Sequence, residues 1–486
     1  MSLTLTILDE VNCHIEGLTR QDIEEIVGAT ELPDKSAFMT AAFQTGNWNG
    51  KISMFDAETC IFFQHMLDTV TDVLEYRGYD LDSINIVDER TNRELKFDDL
   101  EFVDDHYFGD LLPWPLRAHQ TNGINRAIAD TKGILEYGTS SGKTVLGAGI
   151  CRVFESKLKT ITATPSASLV KQTAAQYEEL GLDVKALTPS IKTEKKRKAV
   201  FENHRHIVLT PKLLMNCAGM FDSKDYVIIL DEVHQIMGDE FCHFVRTELA
   251  DSPVRIGLTG TVPRDRLKRH TIECHIGGPV LDIVSTDHLM SKNYVSSIGI
   301  EMISTLDQEM EAFSEEADTW TWDREFDYLN LNKDRIESIA QYIKSLDPKN
   351  TLVLCHPQLG KQLASHFEGR MIADDTPLET REGWFKGFDD SDDFVLCASY
   401  GTSGTGISIN RIFRLFLIDV GKNEVYIRQG IGRGLRLDGD INHCDVIDIS
   451  ADTKYSKRHR KERIKIYKRE KFQYVKSDDA ILVKHD

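Results

Sequence analysis

Short apolar runs alternate with stretches in which apolar residues recur every three or four positions, and this holds for most of the chain. The runs at 160–163, 206–209, 226–230 and 254–258 are mainly apolar and lack a strict polar alternation, so each predicts a strand buried on both faces. A second set at 351–355, 394–398, 414–419 and 444–449 repeats the pattern. Strand, loop and helix in that order predict a doubly wound parallel sheet for each set. Upstream, β-like runs at 3–8, 52–55 and 84–87, with helical periodicity at 61–75, predict a small α+β module that carries no catalytic signature. Pro113 and Pro115 punctuate the chain after it. The segment 285–330 is acidic and irregular and reads as a linker with a lead-in helix. The stretch from 451 is basic and reads as helix. The expected fold class is α/β: an N-terminal α+β module over 1–105, two parallel-sheet domains over 106–290 and 291–450, and a basic helical tail over 451–486.

A length of 486 residues predicts about three domains at the usual size. The net charge of −20 argues against a polyanionic partner on average, but residues 454–476 hold eleven Lys or Arg against two Glu. Over a Debye length of about 8–10 Å a phosphate feels that local excess rather than the mean. A solvated helix face gives the same composition, so both readings stay open. Nine cysteines lie singly, with no Cys-x-x-Cys pair, which excludes a structural zinc motif and fits reduced thiols in a cytosol. The opening residues lack the basic and apolar blocks of a signal peptide, and no apolar stretch reaches membrane-spanning length, so a cytoplasmic location is expected.

Chemistry enters at Gly138-Thr139-Ser140-Ser141-Gly142-Lys143-Thr144, which follows an apolar run and opens a helical stretch. Backbone N–H groups at a helix start bind phosphate oxygens, and the helix dipole assists them. Gly142 lets the backbone come close, Lys143 reaches β- and γ-phosphates, and the Thr144 hydroxyl holds Mg²⁺. Tyr137 stands where the strict Gly-x4-Gly-Lys-Thr pattern has its first glycine. About ninety residues on, the apolar run 227–230 ends in Asp231-Glu232-Val233-His234. Carboxylates at the C-terminal end of a central strand face the ligand crevice of an open α/β sheet. Asp231 can hold Mg²⁺, and Glu232 can orient and deprotonate an attacking water.

With these residues the chain resembles the Asp-Glu-x-His class of superfamily 2 helicases. Further segments resemble that family in order. Arg117 and Gln120 are similar to its adenine-reading element, and the segment from Gly138 to Thr144 to its ATP loop. Thr164-Pro165-Ser166 with Gln172, and later Thr210-Pro211, resemble the motifs that hold the nucleic-acid backbone. Thr259-Gly260-Thr261 resembles the motif linking hydrolysis to movement. Ser399-Tyr400-Gly401-Thr402, with Gly404 and Gly406, resembles motif five, and Gln429-x-x-Gly432-Arg433-x-x-Arg436 resembles motif six. The resemblance implies two RecA-like domains with ATP and Mg²⁺ between them and DNA across both. His234 and Gln429 would belong to the catalytic set. Arg433 and Arg436, placed near a helix start, would act on the transferring phosphoryl group, with Arg436 as the finger.

Gly46-Asn47-Trp48-Asn49-Gly50-Lys51-Ile52 is similar to a segment of UvsW-type phage recombination helicases, which remodel branched DNA. That likeness implies a substrate-recognition role for the N-terminal module through Trp48 and Lys51, and host cytoplasm as the setting. A tight turn with Trp48 packed beneath it explains the same residues. An RNA helicase with this engine, a nucleic-acid scaffold with a silent nucleotide site, and the motor subunit of a restriction complex remain alternatives.

Overall fold

The computed structural model describes residues 3–310, 320–401, 409, 411–436 and 443–485. The chain divides into two compact units, one of 1–137 with 142–283, the other of 138–141 with 284–486.

The first unit begins with a four-stranded sheet, order β5-β2-β1-β6, from β1 (Thr4–Ile7), β2 (Asn12–Glu16), β5 (Ile61–Phe63) and β6 (Asn85–Asp88). An antiparallel pair, β3 (Glu31–Pro33) with β4 (Lys51–Ser53), projects from it. The helix Arg20–Thr30 starts at a capping box: Thr19 and Asp22 satisfy each other's backbone N–H. This module is not a detached appendage. Its apolar core, with Ile15, Phe62 and Val70, closes over Ala250 and Cys274 of the following domain. Arg246 donates to Asn12 at 2.7 Å and lies over the Phe63 ring. Lys132 donates to Gln64 and pairs with Glu10.

The main sheet of this unit has the order β13-β7-β12-β11-β8-β10-β9. Its strands are β7 (Lys132–Tyr137), β8 (Lys159–Ala163), β9 (Val184–Ala186), β10 (His206–Leu209), β11 (Tyr226–Asp231), β12 (Val254–Thr259) and β13 (Val280–Val284). The pairs β7/β12, β12/β11, β11/β8, β8/β10 and β10/β9 are parallel. All residues of β12, and all of β11 but Asp231, are buried, as strands covered by helices on both faces must be.

The second unit is built on a wholly parallel sheet, order β16-β17-β15-β18-β19-β14-β20. Its strands are β14 (Ser297–Leu306), β15 (Thr351–Cys355), β16 (Met371–Ile372), β17 (Val395–Ser399), β18 (Arg414–Ile418), β19 (His443–Ala451) and β20 (Gln473–Leu482). Two expectations are corrected here. The segment read as irregular linker contains β14, a ten-residue strand. The tail is not helix alone: the helix Lys454–Arg469 turns back into β20, which pairs with β14 and completes the sheet. Side chains of that helix also face inward. Arg463 is buried and grips Asp448 with two bonds of 2.8 and 2.9 Å, and Arg460 donates to Ser450. These two guanidinium groups hold the helix on the sheet and are not open to a polyanion.

Candidate functional site

β7 leads into the loop 138–142, and the helix Lys143–Phe154 starts behind it. Gly142 caps that helix at φ +84°, and a Cβ there would fall 2.3 Å from the Gln120 amide. Glycine is required on both counts. Gln120 is buried and works on the backbone: its Oε1 accepts from Arg117 N–H at 2.9 Å, and its Nε2 donates to Gly142 O at 3.4 Å. Gln120 thus joins the helix Ala118–Asp130 to the loop. Tyr137, the departure from the glycine pattern, has a structural reason. Its buried hydroxyl lies 2.8 Å from His119 O and 2.7 Å from Asp282. Gly123 makes room for it, since a Cβ there would sit 2.6 Å from that hydroxyl.

Lys143 Nζ donates to Tyr137 O at 3.2 Å and lies 3.5 Å from Glu232 Oε1. Thr144 occupies the first turn of the same helix. Two strands away, β11 delivers Asp231 and Glu232 at its C-terminal end. Glu232 holds φ +47°, ψ 47°, an uncommon conformation outside glycine, and turns the chain so that both carboxylates stay beside the loop. The adjoining end of β12 supplies Gly260 N–H to Glu232 Oε2 at 3.4 Å and the Thr259 hydroxyl to His234 Nδ1 at 2.6 Å. His234 therefore bridges the acidic motif and the Thr-Gly-Thr motif. Sequence alone shows both motifs but not this link.

Electrostatics separate the two acids. Burial and the neighbouring Glu232 charge push Asp231 up to about 7, against the pull of Lys143. Burial raises Glu232 too, but Lys143, His234 and the Gly260 N–H outweigh it and hold this carboxyl below its ordinary value. Glu232 is thus charged and able to accept a proton. Asp231 carries an electrostatic load that a divalent cation would relieve, so this donor set fits Mg²⁺.

The residues read as backbone-holding lie just beyond strand ends as well. Thr164 is fully buried. Ser166 and Thr210 accept from the N–H groups of Leu169 and Leu213 and so start the helices Ala167–Glu179 and Pro211–Met215. Pro165 and Gln172 are half-buried beside them. In the second unit Ser399 ends β17 and is buried. Thr402, Gly404 and Gly406 lie outside the described residues. Motif six differs from expectation. Its helix runs Glu424–Gly434, so Gln429 is central, Arg433 sits in the last turn and Arg436 follows the end. The start is earlier because the Asn423 side chain accepts from Tyr426 N–H. Burial lowers the Arg436 pKa.

In the N-terminal module Trp48 Nε1 donates to Lys51 O at 2.7 Å, and the Lys51 ammonium pairs with Glu31. Both side chains are engaged within the hairpin. Its exposed large apolar groups are instead Phe38, Met39, Phe43 and Ile52.

Residues 114–264 match the family of the res subunit of type III restriction enzymes. The ATP-dependent DNA helicase uvsW of Enterobacteria phage T4 is 23% identical, covering 89% of this chain and 91% of that one. Two solved structures share the fold. LlaBIII, an ATP-dependent type ISP restriction-modification enzyme bound to DNA, gives a TM-score of 0.55 at 13% identity over 84% of this chain and 34% of its own. A fragment of an HsdR subunit of a type I restriction enzyme from Vibrio vulnificus gives 0.51 at 16% over 68% and 64%. No helix among the described residues is long and apolar enough to cross a membrane. The motifs in order, the two parallel sheets and the likeness to the T4 protein along most of both chains make this chain an ATP-dependent DNA helicase, similar to those of superfamily 2.

Proposed function

We propose that the protein hydrolyses ATP·Mg²⁺ to move along DNA and remodel branched substrates, forks and four-way junctions, in a host cytoplasm during phage-type replication, recombination and repair. The observation that carries this reading is the grouping of Lys143, Asp231 and Glu232 beside the C-terminal ends of β7 and β11. Lys143 meets the β- and γ-phosphates, Asp231 with Thr144 holds the metal, and Glu232 takes the proton from the attacking water. Arg436 stabilises charge on the transferring group, and Arg433 contacts phosphate. Bound Mg²⁺ supplies charge neutralisation at the phosphates. DNA as the substrate is supported by the T4 relative's name. Branch remodelling rests on the likeness of residues 46–52 to the UvsW-type segment. Cycles of nucleotide binding and release would alternate the grip of the two units on a strand.

The test is ATP-dependent unwinding of linear, forked and four-way DNA by the full chain, with ATPase stimulation by DNA and RNA side by side. Stronger stimulation by RNA, or equal action on linear and branched DNA, overturns the respective part. A second reading, the motor subunit of a restriction-type complex, draws on the match of residues 114–264. Unwinding by the purified chain alone separates the two.

A further inference from the structure

The helix Lys454–Arg469 has one face that packs inward through Ser456, Arg463, Ile466 and Tyr467. Beside it, positions 455, 458, 462, 465 and 469, three or four residues apart, share a second face. At its N-terminal end that face is aromatic. Trp322 stands 5.6 Å from the Tyr455 ring and 5.3 Å from the His459 ring, edge to face with both, yet remains 41% exposed. Further along, a cavity of about 310 Å³ opens, lined by Lys422, Arg458, Lys465 and Arg469 with only Glu424 and Glu462 as counter-charges. Lys465 pairs with Glu462 and Arg469 with Glu424. Lys422 and Arg458 meet no carboxylate within ion-pair distance among the described residues, and Arg458 lies over the Tyr455 ring.

The platform is rigid. Glu325, buried on the helix Trp322–Leu331, accepts from Trp320 Nε1, the Thr453 hydroxyl, Tyr455 N–H, Ser456 N–H and the Ser456 hydroxyl. These bonds of 2.6–2.9 Å clamp the two helices that carry the aromatic groups. Ion pairs from Arg428 to Glu470 and from Arg469 to Glu424 tie the same helix to the motif-six helix.

We infer that this groove in the second unit is a binding site for single-stranded nucleic acid, with a base stacked on Trp322 and backbone phosphates in the cation-lined cavity. An aromatic shelf takes any base by its face, and cations in line with it neutralise the backbone. A duplex does not fit the shelf, because its base faces are already stacked. From Tyr455 to Arg469 the helix face runs about 20 Å, enough for a short run of nucleotides. A mononucleotide or free polyphosphate shares the phosphate chemistry but does not need the shelf at that distance. The site rests on the proposed action on DNA and adds to it a strand contact outside the helicase motifs.

The experiment uses the full chain with a dT oligonucleotide, an abasic oligonucleotide of equal length and inorganic tripolyphosphate. Photocrosslinking of an iododeoxyuridine oligonucleotide to the wild-type protein is expected to mark the peptides that hold Trp322 or Tyr455. Trp322→Ala should weaken dT binding about tenfold and abasic binding by less than about twofold, and Trp322→Phe should restore most of the loss. Lys422→Glu with Arg458→Glu should weaken both oligonucleotides and cut the salt slope by about 0.7 for each phosphate that is no longer neutralised. Circular dichroism checks that each variant is folded, and the cross-link needs no variant at all. Wild-type affinity in all variants, cross-links confined to other peptides, or tripolyphosphate competing as well as dT overturns the site. Absence of oligonucleotide binding and of DNA-stimulated ATPase in the wild type overturns the proposed function instead, and the site falls with it.

Discussion

At the scale of single residues the proposed nucleotide site would rest on a division of labour between two adjacent carboxylates. Glu232→Gln keeps the shape and removes the proton acceptor, so ATP·Mg²⁺ should still bind while turnover falls about 10²–10⁴-fold. Lys143→Ala should abolish hydrolysis, and nucleic acid should still bind without nucleotide. Single-turnover hydrolysis with fluorescent-nucleotide binding checks both, and a Glu232→Gln enzyme with near-normal turnover refutes the assignment. Asp231 gives a pH dependence. Burial and the Glu232 charge push its carboxyl up to about 7, so in the proposed metal role a proton would have to leave for Mg²⁺ to bind. Metal-dependent nucleotide affinity should therefore fall by up to about tenfold per pH unit below 7 and level off above it. Asp231→Asn should flatten the profile, which a titration between pH 5.5 and 8.5 reads directly. These residues are legible in the sequence because their chemistry constrains residue type at fixed distances from strand ends. The Tyr137 hydroxyl in the space left by Gly123 is not legible, because it depends on a contact between a strand and a helix that no spacing announces.

Elements are readable where burial is symmetric and obscure where it is not. The nearly continuous apolar runs of β11, β15 and β18 give strands on sight, since both faces are covered. The edge strand β20 reads Gln-Tyr-Val-Lys-Ser-Asp-Asp-Ala-Ile-Leu, mostly exposed, and its pairing with β14 cannot be inferred from alternation. The helix Lys454–Arg469 is legible as helix and misleading as tail, because buried Arg463 looks the same in sequence as solvated Arg458. Its N-terminal end is set by a residue about 130 positions earlier, Glu325. Glu325→Ala leaves five donors without their acceptor, and the second unit should lose about 3 kcal/mol of stability. Burial acts to raise the Glu325 pKa, yet the hydrogen bonds to its carboxylate hold it below its ordinary value. This stabilisation is present above the ordinary glutamate value and is lost as pH falls through the lower folded one. Urea unfolding at pH 7 and at pH 3.5 should show a wild-type advantage over Glu325→Ala that shrinks at the lower pH. An equal gap at both refutes the charged-cap account.

At the scale of the whole molecule, the N-terminal module decides how substrate choice can be tested. Its seam with the first motor domain joins residues more than 200 positions apart, such as Asn12 with Arg246, which is why sequence reading takes the module for a separable piece. Removing residues 1–105 would uncover Ala250 and Cys274 and strip Lys132 and Arg246 of their partners. Such a truncation should give little soluble protein rather than a motor with relaxed selectivity, and soluble yield with calorimetry checks this. Branch preference is better probed on the surface. Trp48 and Lys51 are engaged within the hairpin, so in the proposed reading unpaired bases at a junction would meet Phe38, 58% exposed, and Met39, 72% exposed, on the loop between β3 and β4. Side chains this exposed support no core, and their replacement should alter stability by no more than about 0.5 kcal/mol. Phe38→Ser with Met39→Ser should keep the fold and the single-strand-stimulated ATPase. The proposed preference for forked and four-way over linear DNA should fall several-fold, because the apolar surface that would meet splayed bases is gone. Unwinding rates on the three substrates at two salt concentrations separate this loss from a general electrostatic weakening, which would scale with salt on all three alike. A double variant that keeps the full branch preference places substrate choice elsewhere in the chain and leaves the hairpin a structural role.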